Sequence, residues 1–116
     1  MTAKPIITTI DALLSPTAEQ DTPAGSIVQV IGVGRGYSQV KDPGNNFDFL
    51  AAYLQSIETG RMIQLVAVGQ PKDLCVQGSM LRASGETGKP LTVSGTYYPY
   101  APATDKPAIQ VENISF

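Results

Sequence analysis

Eleven glycines and nine prolines punctuate this chain of 116 residues, and punctuation that dense suits many short strands joined by tight turns. The length fits one compact domain. With 42% hydrophobic and 16% charged residues, the composition is not that of a disordered chain. No apolar run approaches the roughly 20 residues of a membrane helix. Nor do Met1, Thr2, Ala3, Lys4 and Pro5 open a secretory leader. The expectation is a cytoplasmic protein with no membrane partner.

The residue inventory removes much chemistry. There is no His and a single Cys. A Ser-His-Asp or Cys-His nucleophile, a His-ligated zinc, a Cys cluster and an intrachain disulfide are all excluded. The carboxylates are scattered, with no pair at helical or hairpin spacing for acid–base work or a hard metal. Gly32, Gly34 and Gly36 lack the spacing of a dinucleotide fingerprint, and in the run from Gly85 to Pro90 a proline stands where a phosphate loop needs a hydroxyl. Cys75, without a His to activate it, reads as a packed thiol. Neither catalysis nor a cofactor is expected. Net charge is −2 and the pI is near 4.9, which argues against a strongly cationic nucleic-acid binder. Residues 1–25 hold one base and three acids, so 26–116 carry seven of each. A balanced body can still form a local basic groove.

Residues 1–25 read as a partly flexible N-terminal extension. Ile6, Ile10 and Leu13 have helical spacing, predicting a short helix over 9–15, although the β-branched run 6–10 pulls toward a strand. The stretch 15–25 has no periodicity and reads as a linker. From Ser26 the texture is β. A β-branched run at 27–31 meets Gly32, Gly34 and Gly36, where a strand could bend or bulge. A turn at 42–46, a strand at 47–55, a turn at 58–60 and a strand at 61–68 follow. Residues 71–81 fit a short helix or an irregular strand, with Leu74, Met80 and Leu81 inward, and 84–90 a loop. Residues 91–98 alternate cleanly, with Leu91, Val93 and Tyr97 on one face. After a loop at 99–107, Ile109 and Val111 alternate, and Ile114 and Phe116 continue in shifted phase, predicting a bulge near Glu112 and Asn113. This is an all-β chain of five strands. Glycines inside the first and fourth (Gly95) permit the coiling of a small barrel, with an open sandwich as competitor.

The segment from Gly88 to Tyr98, with Val93, Gly95 and Tyr97 at its centre, resembles the "Gly, any, any, Val, any, Val, any, Gly, any, aromatic" pattern of single-stranded DNA-binding proteins and of primosomal replication protein B. Residues 63–69 resemble their third strand and 107–116 their closing strand. The resemblance spans 26–116 and implies a five-stranded OB-fold barrel with a helical or irregular link between its third and fourth strands. It also implies single-stranded nucleic acid, DNA before RNA, as the partner in replication, recombination or repair. The chain lacks the Trp on which that family's DNA contacts lean.

Within that frame Tyr98 and Tyr100 lie where an OB-fold borders its ligand groove, and aromatic faces there can stack on bases. Tyr97, in phase with Leu91 and Val93, reads as core. Arg35, Tyr37 and Lys41 pair cations with an aromatic near the first loop, and Arg61 and Arg82 are further candidates to track phosphates. The plainer readings are a solvated hairpin for the former and an apolar edge or dimer contact for the tyrosines. Phe47, Phe49 and Tyr53 share one face of the second strand, while Leu50, Ala52 and Leu54 make the other apolar too. One face must be covered by a second subunit, by the N-terminal segment or by a ligand. A homodimer or higher homo-oligomer follows as an expectation. The second functional reading is an assembly module on the same fold with no nucleic-acid ligand.

Overall fold

The β-branched run after Ser26 forms a strand much longer than its first five residues. In a computed structural model, which describes residues 5–41, 48–99 and 106–116, β2 runs from Ile27 to Lys41. Before it come β1 (Ile6–Ile7), α1 (Ile10–Leu13) and α2 (Ala18–Asp21). After it come β3 (Asp48–Gln55), β4 (Met62–Gly69), α3 (Pro71–Thr87), β5 (Leu91–Tyr98) and β6 (Ala108–Ser115). The predicted turn at 42–46, Phe47 and most of the 99–107 loop lie outside the described residues.

The sheet has the order β1-β2-β3-β4-β6-β5, and β5 pairs back onto β2, closing the ring. β2 serves two neighbours. Its first part (Ile27 to Gly32) pairs with β5, and its second (Val33 to Lys41) pairs with β3. The predicted glycine-rich bend is a bulge between Arg35 and Tyr37, with Gly36 at φ 55. The second predicted bulge is also present. Ser94 pairs with Asn113 and Gly95 with Val111, so Glu112 is the extra residue of β6. A Cβ on Gly95 would land on the Gln110 carbonyl oxygen, which explains the glycine. The fold is an all-β OB-type barrel, with β2 to β6 as the expected five strands and β1 as a short sixth.

Two predicted links are wrong in detail. Residues 71–81 and most of 84–90 form one helix of 17 residues, which stops at Gly88 in the left-handed conformation. Gly85 does not break it, because it sits where the helix meets β2, and Gly78 falls on its buried face. Gly34 N–H donates to Ser84 Oγ (3.0 Å), and Ser84 Oγ–H donates to the Lys89 carbonyl (2.6 Å). A Cβ on Gly34 would strike the Leu81 backbone, and one on Gly85 the Gly34 carbonyl oxygen. Leu74, Gly78, Leu81 and Ser84 mark the buried stripe at helical spacing. Cys75 is one residue out of that phase and is exposed, against the packed thiol expected. The linker at 15–25 holds the single turn α2, which buries Ala18.

Side chains of β2 to β6 fill the barrel, with Leu54, Leu91, Val93 and Ile109 fully buried. The N-terminal segment joins this core. Thr9 caps α1 by accepting from Ala12 N–H (3.0 Å), Ile10 and Leu13 are buried, and Tyr97 O–H donates to the Leu13 carbonyl (3.0 Å). Phe116 is half exposed beneath the Lys89 ammonium, 5.3 Å from its ring centre. Among the described residues no helix is long and apolar enough to cross a membrane.

Candidate nucleic-acid interface

The two apolar faces of β3 take different environments. Asp48, Leu50, Ala52 and Leu54 point to the barrel interior, while Phe49 and Tyr53 are 45% and 48% exposed. The aromatic face is therefore the outer one. Strand register extends it across the barrel. Arg35 of β2 pairs with Tyr53, Tyr53 with Gln64 of β4, Gln64 with Ala108 of β6, and Ala108 with Tyr98 of β5. Residues directly opposite share a face, so these five form one cross-strand row, exposed at Arg35, Tyr53 and Tyr98 and covered at Ala108. Tyr53 and Tyr98, both exposed, stand three strands apart on it, roughly 14 Å at the usual inter-strand spacing.

Beside the row lies a hollow of about 410 Å³ lined by Tyr53, Gln64, Met62, Leu14, Lys106 and Pro107. Lys106 and Pro107 end the loop before β6, and Leu14 ends α1, so chain segments far apart in sequence meet over the β3–β4 surface. Met62 is half exposed there. An aromatic ring, an amide and an ammonium around one hollow can offer a stacking plane, a hydrogen-bonding edge and a phosphate contact.

The predicted cations divide. Arg35 is exposed but anchored. Its Nε donates to Gln55 Oε1 (2.7 Å) and its Nη1 to the Gly85 carbonyl (3.1 Å). Arg82 pairs with Glu86 (Nε to Oε1, 3.0 Å), and the two arginines line a cleft of about 470 Å³ between the β2 bulge and α3. Arg61 lies at the β3–β4 turn, away from that cleft. There the Asp11 carboxylate accepts from Ser56 Oγ (2.6 Å) and Thr59 Oγ1 (2.5 Å). Those hydroxyls, the Ser56 bond foremost, hold the Asp11 carboxyl below the ordinary aspartate range; desolvation opposes them and the Arg61 charge adds to them. Tyr37 and Lys41 pair in register with Ala52 and Asp48. Their side chains, and Tyr100 altogether, lie outside the described residues.

The structure thus groups Tyr53, Tyr98 and Arg35 on one row and sets Arg82 beside Arg35, with Arg61 apart. Sequence reasoning missed Lys106, Gln64 and Met62. Lys106 before Pro107 at a strand entrance was a visible sign; the other two needed the β3–β4 register.

No protein-family model and no curated protein matches the chain. Solved structures do. RecG bound to a three-way DNA junction matches 97% of this chain at 19% identity and a TM-score of 0.62, over only 13% of its own chain. An SSB domain from Synechococcus sp. matches 80% of this chain and 94% of its own at 10% identity and a TM-score of 0.53. A Klebsiella pneumoniae protein provisionally described as a nucleic acid-binding lipoprotein matches 94% and 92% at 16% identity and a TM-score of 0.56. At these identities the likeness is one of fold.

Proposed function

We propose that this chain binds single-stranded nucleic acid, DNA before RNA, across the outer row from Arg35 through Tyr53 and Gln64 to Tyr98. The observation that carries the reading is the exposure of Tyr53 and Tyr98 on one row, with cationic Arg35 at one end and Lys106 beside it. An OB barrel takes oligonucleotides on its second- and third-strand face, and this row crosses β3 and β4, the corresponding strands. The fold neighbours include a protein bound to a DNA junction and an SSB domain, which supports the same ligand class. The mechanism is passive binding rather than catalysis. Tyrosine rings stack on bases, and Arg35, Lys106 and Arg82 neutralise phosphates along the flank. Replication, recombination or repair is the setting in which such a binder would act.

The test is anisotropy of a fluorescein-labelled oligo-dT titrated at several salt concentrations. Tyr53→Ala should weaken binding by about 1–3 kcal/mol with little change in salt dependence, because stacking releases few counterions. Lys106→Ala should lower the slope of log affinity against log salt by about 0.7, the single-strand value for one phosphate contact. If the parent protein does not bind, or both variants bind as well as the parent, the reading fails.

One observation favours the assembly reading instead. Phe49 and Val68, 45% and 53% exposed, pair opposite each other beside the row and make an apolar patch suited to a second subunit. Sedimentation of a dimer that dissociates on Phe49→Glu, without oligo-dT binding, would favour it.

A further inference from the structure

β4 and β6 part toward the start of α3, beyond the point where the tyrosine row crosses them. β4 and β6 pair in parallel only from Gln64 to Val66 and from Ala108 to Gln110. Beyond those residues β4 continues to Gly69 and β6 to Ser115 with no pairing between them, while their other edges stay paired, β4 with β3 and β6 with β5. Residues 67–69 and 111–114 instead form the walls of a cleft of about 470 Å³, with Leu74, Gln77 and Met80 of α3 among its lining. Facing strand edges that do not pair with each other are the feature an added strand exploits. The bulge at Glu112 keeps this part of β6 turned from β4.

The lining also selects the strand. Asp73 and Glu112, both exposed, are its charged groups, and both are acids. Gln77, half-buried in the α3 wall, has a buried Oε1 with no hydrogen-bond partner, an acceptor that an incoming donor would meet once the side chain turns outward. Val68 and Val76, 53% and 61% exposed, supply apolar contact at the rim. Carboxylates, an unsatisfied acceptor and two open edges fit a chain that brings N–H groups and positive charge.

We propose that this cleft binds an extended basic peptide of a partner protein by strand addition between β4 and β6. The wall residues give space for a segment about 10–13 Å long, three or four residues in strand geometry. Alternate side chains of that segment would face the valines, and its lysines or arginines Asp73 and Glu112. The site is independent of the oligonucleotide row, so either can fail alone.

Three labelled peptides test it: an alternating Lys/Val/Thr heptapeptide, its counterpart with Glu at each Lys position, and the basic peptide N-methylated at alternate backbone nitrogens. The basic peptide should saturate in an anisotropy titration. The acidic one should bind about tenfold more weakly or worse, as like charges meet. N-methylation should abolish binding, since it removes the ladder donors. Glu112→Lys should weaken the basic peptide by about tenfold while melting temperature and oligo-dT affinity stay at parental values. Asp73→Asn should act in the same direction. Equal binding of the basic and acidic peptides, indifference to N-methylation, absence of saturation, or displacement of the peptide by oligo-dT would each overturn the proposal.

Discussion

The barrel is packed by two helical segments held in different ways. α1, four residues long, is anchored by side chains: Ile10 and Leu13 enter the core, Asp11 receives two hydroxyls, and Tyr97 reaches the Leu13 carbonyl. α3, 17 residues long, buries Leu74 and Leu81 as well, but it also meets β2 closely where side chains are missing, through Gly34, Gly85 and the small Ser84. A short helix must bring its own hydrophobic burial, since one turn contributes almost nothing by itself. A long helix can instead press its backbone onto a strand, and then glycine is the residue that fits.

Each arrangement predicts its own weak points. Gly34→Val should be the most damaging change, because the new side chain meets the Leu81 backbone, which cannot rotate away; about 3 kcal/mol or more is expected from urea denaturation. Leu13→Ala should cost about 2–4 kcal/mol by the same measurement, a core truncation. Were Gly34→Val tolerated and Leu13→Ala not, the backbone-contact account of α3 would be wrong. Ser84→Ala removes two hydrogen bonds at a buried position and should cost about 1–3 kcal/mol. Asp11→Asn should have the smallest effect, and one that depends on pH. The folded-state pKa of Asp11 is depressed, so its contribution is complete above the ordinary aspartate range and is lost as pH falls through the lowered value. Melting curves of parent and Asp11→Asn should therefore differ at neutral pH and converge in acid.

The same contrast explains what the sequence made visible. β5 could be read residue by residue, since Leu91, Val93 and Tyr97 alternate over a single buried face, and the phase shift after Val111 disclosed the Glu112 bulge. α3 reads as shorter than it is because Gly78 and Gly85 look like helix breakers, and the β2 backbone that Gly85 presses against lies far away in sequence. The inward phase of that helix also decided Cys75, whose apolar neighbours alone suggested burial. The aromatic face of β3 was legible as a face, but not its direction. Leu50, Ala52 and Leu54 are as apolar as Phe49 and Tyr53, and only barrel closure made the smaller set the interior. The hollow beneath Lys106 joins residues from four separate stretches, an arrangement no local pattern encodes.

The Tyr97 hydroxyl bonded to Leu13 spans 84 positions of the chain, and β2, near its beginning, closes the ring on β5, near its end. During synthesis, the meander of β2, β3 and β4 therefore leaves the ribosome well before the strand that completes it. The N-terminal segment must wait longer still, because its hydrogen-bond donor is almost the last part of β5 to appear. Such non-local closure places refolding in the slow class, milliseconds to seconds. In that interval the outward Phe49 and Tyr53 are accompanied by the exposed inner face of the same strand. A nascent meander apolar on both sides is the species of this protein most in need of a chaperone.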